Sequence, residues 1–175
     1  MRIEYRDLCI RNAENEDAEI LARWWNDGRV MAHAGFPNGL NTSAEKIRDS
    51  IRTDTDDTRR RLIIEKGENR IGEMSYRNIG GQRVEIGIKI CESDYQEKGL
   101  GRNLLSMLIR ALFDKGFQEI VLDTNLNNTR AQHVYELLGF QKTGVRMNSW
   151  TDQLGNLQSA VDYALTEDKF LDYRK

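Results

Sequence analysis

The spacing of apolar residues changes once, between residues 61 and 115, and that change limits what this chain can fold into. Residues 62–65, 71–77 and 84–90 carry short apolar runs or alternation, and Gly67-Glu68-Asn69 and Gly80-Gly81 separate them. Alternation puts one set of side chains on one face of a strand, and glycine-rich pairs supply the positive φ of tight hairpins, so an antiparallel meander is expected. From residue 100 to 115 the period becomes helical. Leu104, Leu105, Leu108, Ile109 and Leu112 line one face, and Gly116 follows as a stop. A meander feeding a long amphipathic helix excludes all-α and all-β architectures and points to a mixed sheet with helices packed on it.

The flanking segments extend this pattern. Residues 8–11 read as a strand, and residues 12–16 offer caps and first-turn acids for a helix carrying Ala18, Ile20, Leu21, Trp24 and Trp25 that ends near Asp27-Gly28. A loop with Gly35, Pro37 and Gly39 precedes Asn41-Thr42-Ser43 and Glu45, which open a more polar helix to about Ile51. Residues 120–122 form a further strand, Asn128 caps a helix running to Leu138, and Gly139 ends it. A final hairpin turns at 152–156 and places Leu157, Ser159, Val161, Tyr163 and Leu165 on one face. The sum is one α/β (α+β) domain over residues 1–175, with about seven strands and about four helices. One proline and no repeat leave no room for a linker.

Charge and cysteine usage exclude several classes of function. With 26 Lys+Arg against 28 Asp+Glu the net charge is −2, so a nucleic-acid partner is not expected. Arg59-Arg60-Arg61 follows Asp54, Asp56 and Asp57 and reads as a solvated, self-neutralised loop. No apolar run approaches the roughly 20 residues of a membrane span, and the opening residues lack the apolar stretch of a signal peptide. Cys9 and Cys91 fit neither disulfide nor metal spacing, and His33 and His133 stand far apart, so a cytoplasmic protein without a metal is expected.

The chemistry concentrates in Gln96-Glu97-Lys98-Gly99-Leu100-Gly101-Arg102, between a strand and the long helix. Helix N-terminal amides lack intrahelical acceptors and the helix dipole is positive there, so this turn is an anion cradle. Gly99 and Gly101 remove side chains that would keep an anion from the amides, while Lys98 and Arg102 add positive charge. A dinucleotide fingerprint would need glycine where Leu104 stands, and a P-loop needs a Gly-Lys pair that the chain lacks.

Gln96-x-x-Gly99-x-Gly101, followed by Asn128-x-x-Ala131-x-x-x-Tyr135-x-x-x-Gly139-Phe140, resembles the two motifs of the GNAT superfamily of acetyl-CoA-dependent N-acetyltransferases, in order and spacing. In style it is similar to the branch with ribosomal-protein N-terminal, polyamine and aminoglycoside acetyltransferases. The resemblance implies a mostly antiparallel sheet splayed between strands 84–90 and 120–122, with pantetheine lying in the gap along Ile88, Lys89 and Ile90. It implies acetyl-CoA as cosubstrate, its pyrophosphate on residues 96–102 and its arm beside Asn128, Ala131 and Tyr135. Gly87 inside its strand suggests a bulge or a close approach of another backbone.

Within that reading Tyr135 is the general acid, because a phenol near 10 stays protonated at neutral pH and can donate to a departing thiolate of pKa roughly 8.5. Glu85 is the first choice for the base and Glu73 the second, or the acceptor arrives already neutral. Trp24 and Trp25 point about 100° apart, so one faces the core and the other lines an acceptor pocket. Direct transfer in a ternary complex is expected, to a peptide N-terminus, a polyamine, an aminoglycoside or a small metabolite. The alternative is an acyl-CoA-binding sensor of the same fold. The terminal strands leave room for a homodimer.

Overall fold

The computed structural model describes residues 1–174. Its strands are β1 (Arg2–Tyr5), β2 (Leu8–Asn12), β3 (Arg59–Lys66), β4 (Asn69–Gly80), β5 (Arg83–Ile90), β6 (Glu119–Asn125), β7 (Gln141–Thr151) and β8 (Leu157–Thr166). They form one sheet in the order β1-β2-β3-β4-β5-β6-β8-β7, antiparallel except where β5 meets β6. The α-helices are α1 (Ala18–Asn26), α2 (Gly28–Met31), α3 (Ala44–Arg52), α4 (Leu100–Asp114) and α5 (Thr129–Leu137). No helix among the described residues is long and apolar enough to cross a membrane.

Three differences from the sequence reading have local causes. The first strand, β1, has only Ile3 and Tyr5 as apolar residues, both partly buried, and a four-residue amphipathic run is too short to announce itself. The helix α2 is a single turn, capped by the Asp27 side chain accepting from the Arg29 amide at 2.8 Å. The loop that follows folds back so tightly onto the start of α2 that a Cβ on Gly28 would lie 1.9 Å from the Pro37 carbonyl oxygen. Finally, Arg59-Arg60-Arg61 is no loop. The buried Asp54 accepts from the Arg61 amide at 2.9 Å and Thr55 bridges to Arg59, so the three arginines enter β3.

Each face of the sheet carries its own layer. Leu62 and Ile64, Met74 and Tyr76, Val84 and Ile86, Ile120 and Leu122, and Val161, Tyr163 and Leu165 point to the side covered by α4 and α5. Each such side chain stabilises the fold by roughly 1.5–3 kcal/mol through burial. Ile63 points the other way, where Leu21 and Trp24 of α1 and Ile47 and Ile51 of α3 cover it. Asp17 fixes the start of α1 to the sheet. Its fully buried carboxylate accepts from Arg11 Nη1 and Nη2 at 2.7 and 2.9 Å and from the Glu14 amide at 2.8 Å. Burial works against its charge, but the Arg11 and backbone donors outweigh it and hold the carboxyl below the usual range.

The sheet opens at its one parallel junction. β5 and β6 pair only at Arg83↔Glu119, Val84↔Ile120 and Glu85↔Val121, while β6 continues on β8 as far as Asn125↔Ala160. Residues 86–90 of β5 therefore keep β4 on one edge and have no strand on the other.

Candidate active site

The open edge of β5 leads directly to the N-terminus of α4. Gln96 Nε2 donates to the Ile90 carbonyl at 2.8 Å, which folds the connecting loop back on the strand end. Glu97 and Gly99 then take left-handed conformations, φ 60° and 72°, and Gly99 caps α4 without a side-chain bond. No described group accepts from the amides of Leu100, Gly101 or Arg102. A Cβ on Gly101 would meet only open space, so the cradle is accessible to an anion. Lys98 is exposed, whereas the Arg102 guanidinium stacks on Tyr173 at 5.3 Å. Glu97 also reaches Arg130 of α5 in an exposed ion pair of 2.5 Å.

Helix α5 forms the far wall. Asn128 caps it, its Oδ1 accepting from the Ala131 amide at 3.3 Å, and Ala131 packs against the core cluster. One helical turn on, Tyr135 is 7% exposed and wedged edge-on between Phe140 and Tyr163, at 5.9 and 5.8 Å between ring centroids. Burial, and secondarily the charge of Asp123, push its phenol up to about 12. It is therefore a hydrogen-bond donor across the physiological range.

On the opposite face of the sheet lies a cleft of about 400 Å³, lined by Arg59, Ser75, Tyr76, Arg77, Glu85, Ile86, Gly87 and Asp123. Glu85 is at its edge, with Oε2 accepting from Arg77 Nη2 at 2.7 Å and Nε at 3.1 Å. Asp123, two residues beyond the last β5–β6 pair, lines the cleft from the other arm of the opening and is held by Arg146 at 2.7 Å. The sequence reading missed Asp123. Its signal was only its position on the polar side of a short strand, and its partner Arg146 is 23 residues away.

Gly87 shows no bulge, and no other backbone approaches it. The β4–β5 register runs unbroken from Gly72↔Ile90 to Asn78↔Val84, and the shift falls between Asn78 and Gly80. What the missing side chain leaves is floor space, since a Cβ on Gly87 would stand in the cleft 3.3 Å from Ser75 Oγ.

The remaining sequence candidates fall in two places. Trp24 is 3% exposed on the buried side of α1, its indole N–H donates to Glu92 at 2.7 Å, and it does not line this cleft. Trp25 donates instead to Glu73 Oε1 at 2.7 Å, and the same oxygen takes Lys89 Nζ at 3.4 Å. Arg61 lies against the Trp25 ring at 5.1 Å on the same face of the sheet. Lys89 thus sends its side chain to the cleft face while its backbone stays on the open edge, and Ile88 and Ile90 pack into the core.

A sheet opened beside an uncapped helix start, with a buried phenol across the gap, is matched by a family model described as an acetyltransferase (GNAT) domain over residues 7–141. The chain belongs to the GNAT acetyltransferase domain family. Among curated relatives, the ribosomal protein bS18-alanine N-acetyltransferase of Escherichia coli K12 is 40% identical over 74 residues. That match covers 42% of this chain and 49% of the relative, so the chain spans about half the length of the curated relatives it matches. Two solved structures share the GNAT fold at low identity. A spermidine N-acetyltransferase from Vibrio cholerae, in complex with CoA and spermine, superposes with TM-score 0.81 at 23% identity, covering 93% of this chain and 97% of that one. A ribosomal-protein-S5-alanine acetyltransferase from Vibrio fischeri gives TM-score 0.83 at 18% identity, covering 98% and 99%.

The residues present fit coenzyme A. Accessible amides suit a diphosphate, and an unpaired strand edge suits the two amides of a pantetheine arm.

Proposed function

We propose that this chain moves an acetyl group from acetyl-CoA to an amine by direct transfer in a ternary complex, as a single cytoplasmic domain. The observation that carries the reading is the unpaired edge of β5 running into the uncapped start of α4, with Tyr135 across the opening. Residues 96–102 hold the diphosphate, and Ile88, Lys89 and Ile90 hold the pantetheine through their backbone. Asn128 and Ala131 set the helix wall against the cofactor arm.

The acceptor enters from the cleft on the other face, so its nitrogen and the thioester meet at the junction of β5 and β6. Glu85 and Asp123, one on each arm, are placed to take the proton that an ammonium must lose before its nitrogen attacks. As the new C–N bond forms and the C–S bond breaks, the nitrogen sheds a second proton, which passes to the departing sulfur and yields the free thiol, while Tyr135 donates a hydrogen bond to that sulfur. A phenol near 12 is a weaker acid than a thiol near roughly 8.5, so its contribution is a hydrogen bond to developing negative charge. Glu73, tied to Trp25 and Lys89, shapes the wall beside the acceptor.

Calorimetry with coenzyme A and thiol-release assays over a panel of amines test this reading. Heat with coenzyme A and thiol release with at least one amine are expected. Binding without release from any amine would favour the acyl-CoA sensor, and no heat at millimolar ligand would end the reading.

A further inference from the structure

The cleft that receives the acceptor is built from two rows of side chains set by the sheet register. In one row Arg59 stands opposite Arg77, and Arg77 opposite Glu85. Two residues along, Ser75 stands opposite Gly87, with Asp123 beyond the opening. Residues i and i+2 of a strand share a face, so the Ser75–Gly87 row is the floor and the arginine row is an end wall.

The carboxylates here are already matched. Glu85 takes two donors from Arg77, while Asp123 and Asp162 share Arg146 at 2.7 and 2.8 Å. The donors left over are guanidinium N–H groups. Arg59 makes one long contact, Nε to Asp54 at 3.4 Å, and its side chain is 50% exposed; Arg77 is 59% exposed with Nη1 uncommitted. Like charges directly opposite on neighbouring strands repel, and an anion between them removes that cost. A polyamine would meet Arg59 and Arg77 as well as Glu85 and Asp123, so the cleft carries as much positive as negative charge.

We propose that the acceptor carries both signs: an amine at the floor and a carboxylate bound by Arg59 and Arg77, about 7 Å away, the spacing of two strand residues. The proposal rests on the acetyl-transfer reading and narrows its substrate class. A peptide N-terminus with an acidic neighbour and a small ω-amino acid share this chemistry.

Thiol release from acetyl-CoA by the full chain is measured with matched acceptors: Ala-Glu-Ala amide against Ala-Gln-Ala amide, 5-aminopentanoate against pentylamine, and spermidine. The carboxylate member of at least one pair should lead in kcat/KM by about tenfold or more, the worth of one charge-assisted hydrogen bond. The pair that responds identifies the source. In the Arg59→Gln, Arg77→Gln double variant that ratio should fall toward one, with coenzyme A affinity by calorimetry as the check on folding.

The proposal is overturned by equal rates within both pairs, by spermidine outpacing both acids, by a ratio that survives in the double variant, or by no release from either acid. Release from neutral or cationic amines alone leaves acetyl transfer standing, whereas absence of coenzyme A heat removes both.

Discussion

The two sides of the sheet opening are built on different principles. The side proposed for the cofactor offers backbone: left-handed Glu97 and Gly99, three uncommitted amides of α4 and a bare strand edge. The side proposed for the acceptor offers side-chain charges paired across strands, Arg77 with Glu85 and Arg146 with Asp123 and Asp162. A backbone site tolerates exchange of most side chains that leave φ alone. A charge-paired site does not, because removing one partner strands the other.

Tyr135 stands between the two, and its removal should have the largest effect. In Tyr135→Phe we expect kcat to fall by ~10²-fold or more, the lower end for loss of one hydrogen-bond donor to developing charge, while coenzyme A affinity stays within about twofold. Turnover equal to wild type would take the phenol out of the mechanism. Next in size is Gly99→Val. A β-branched residue at φ 72° costs about 1–2 kcal/mol, so coenzyme A should bind roughly tenfold more weakly, measured by calorimetry. Lys98→Ala, which leaves the backbone alone, should cost less, and the reverse order would break the contrast drawn above.

On the acceptor side, Glu85→Gln and Asp123→Asn should each lower kcat/KM, by up to about tenfold, and change its rise with pH for whichever residue takes the proton. Identical pH–rate profiles in both variants would mean that the acceptor arrives neutral. Gly87→Ala should be milder, raising the acceptor KM a few-fold through the methyl group added to the cleft floor, with coenzyme A affinity unchanged.

The smallest effect at neutral pH comes from the tyrosines. Burial first, then nearby acidic groups, pushes Tyr76, Tyr135 and Tyr163 up to about 12 from an ordinary value of 10. Between about pH 10 and 12 the unfolded chain has lost these protons and the native chain keeps them, so stability is full below this window and falls as pH rises through it. Denaturant midpoints across that range check it, and a flat profile would contradict the burial of the phenols.

The strand, turn and helix on the α4 side of the opening were legible in the sequence, because their signals are local. The alternation at 84–90, the glycines at 99 and 101 and the helical period of α4 lie within 32 consecutive residues, and the sheet opening followed from the family resemblance. The acceptor side was read poorly. The sequence does not say which of Trp24 and Trp25 faces the core, because that depends on Glu92 and Glu73, each at least 48 residues away. The bulge expected at Gly87 fails because a glycine in a strand serves space as readily as irregular backbone.

By itself, then, the sequence determined which segments are strands and helices and where a helix start is left with bare amides, since periodicity, caps and glycine conformations are properties of neighbouring residues. Only the tertiary structure decided that Arg59 faces Arg77, that Asp123 joins Glu85 across the opening and that Trp25 supports Glu73. Those contacts depend on strand order and register, which bring together residues tens of positions apart and which no local pattern encodes.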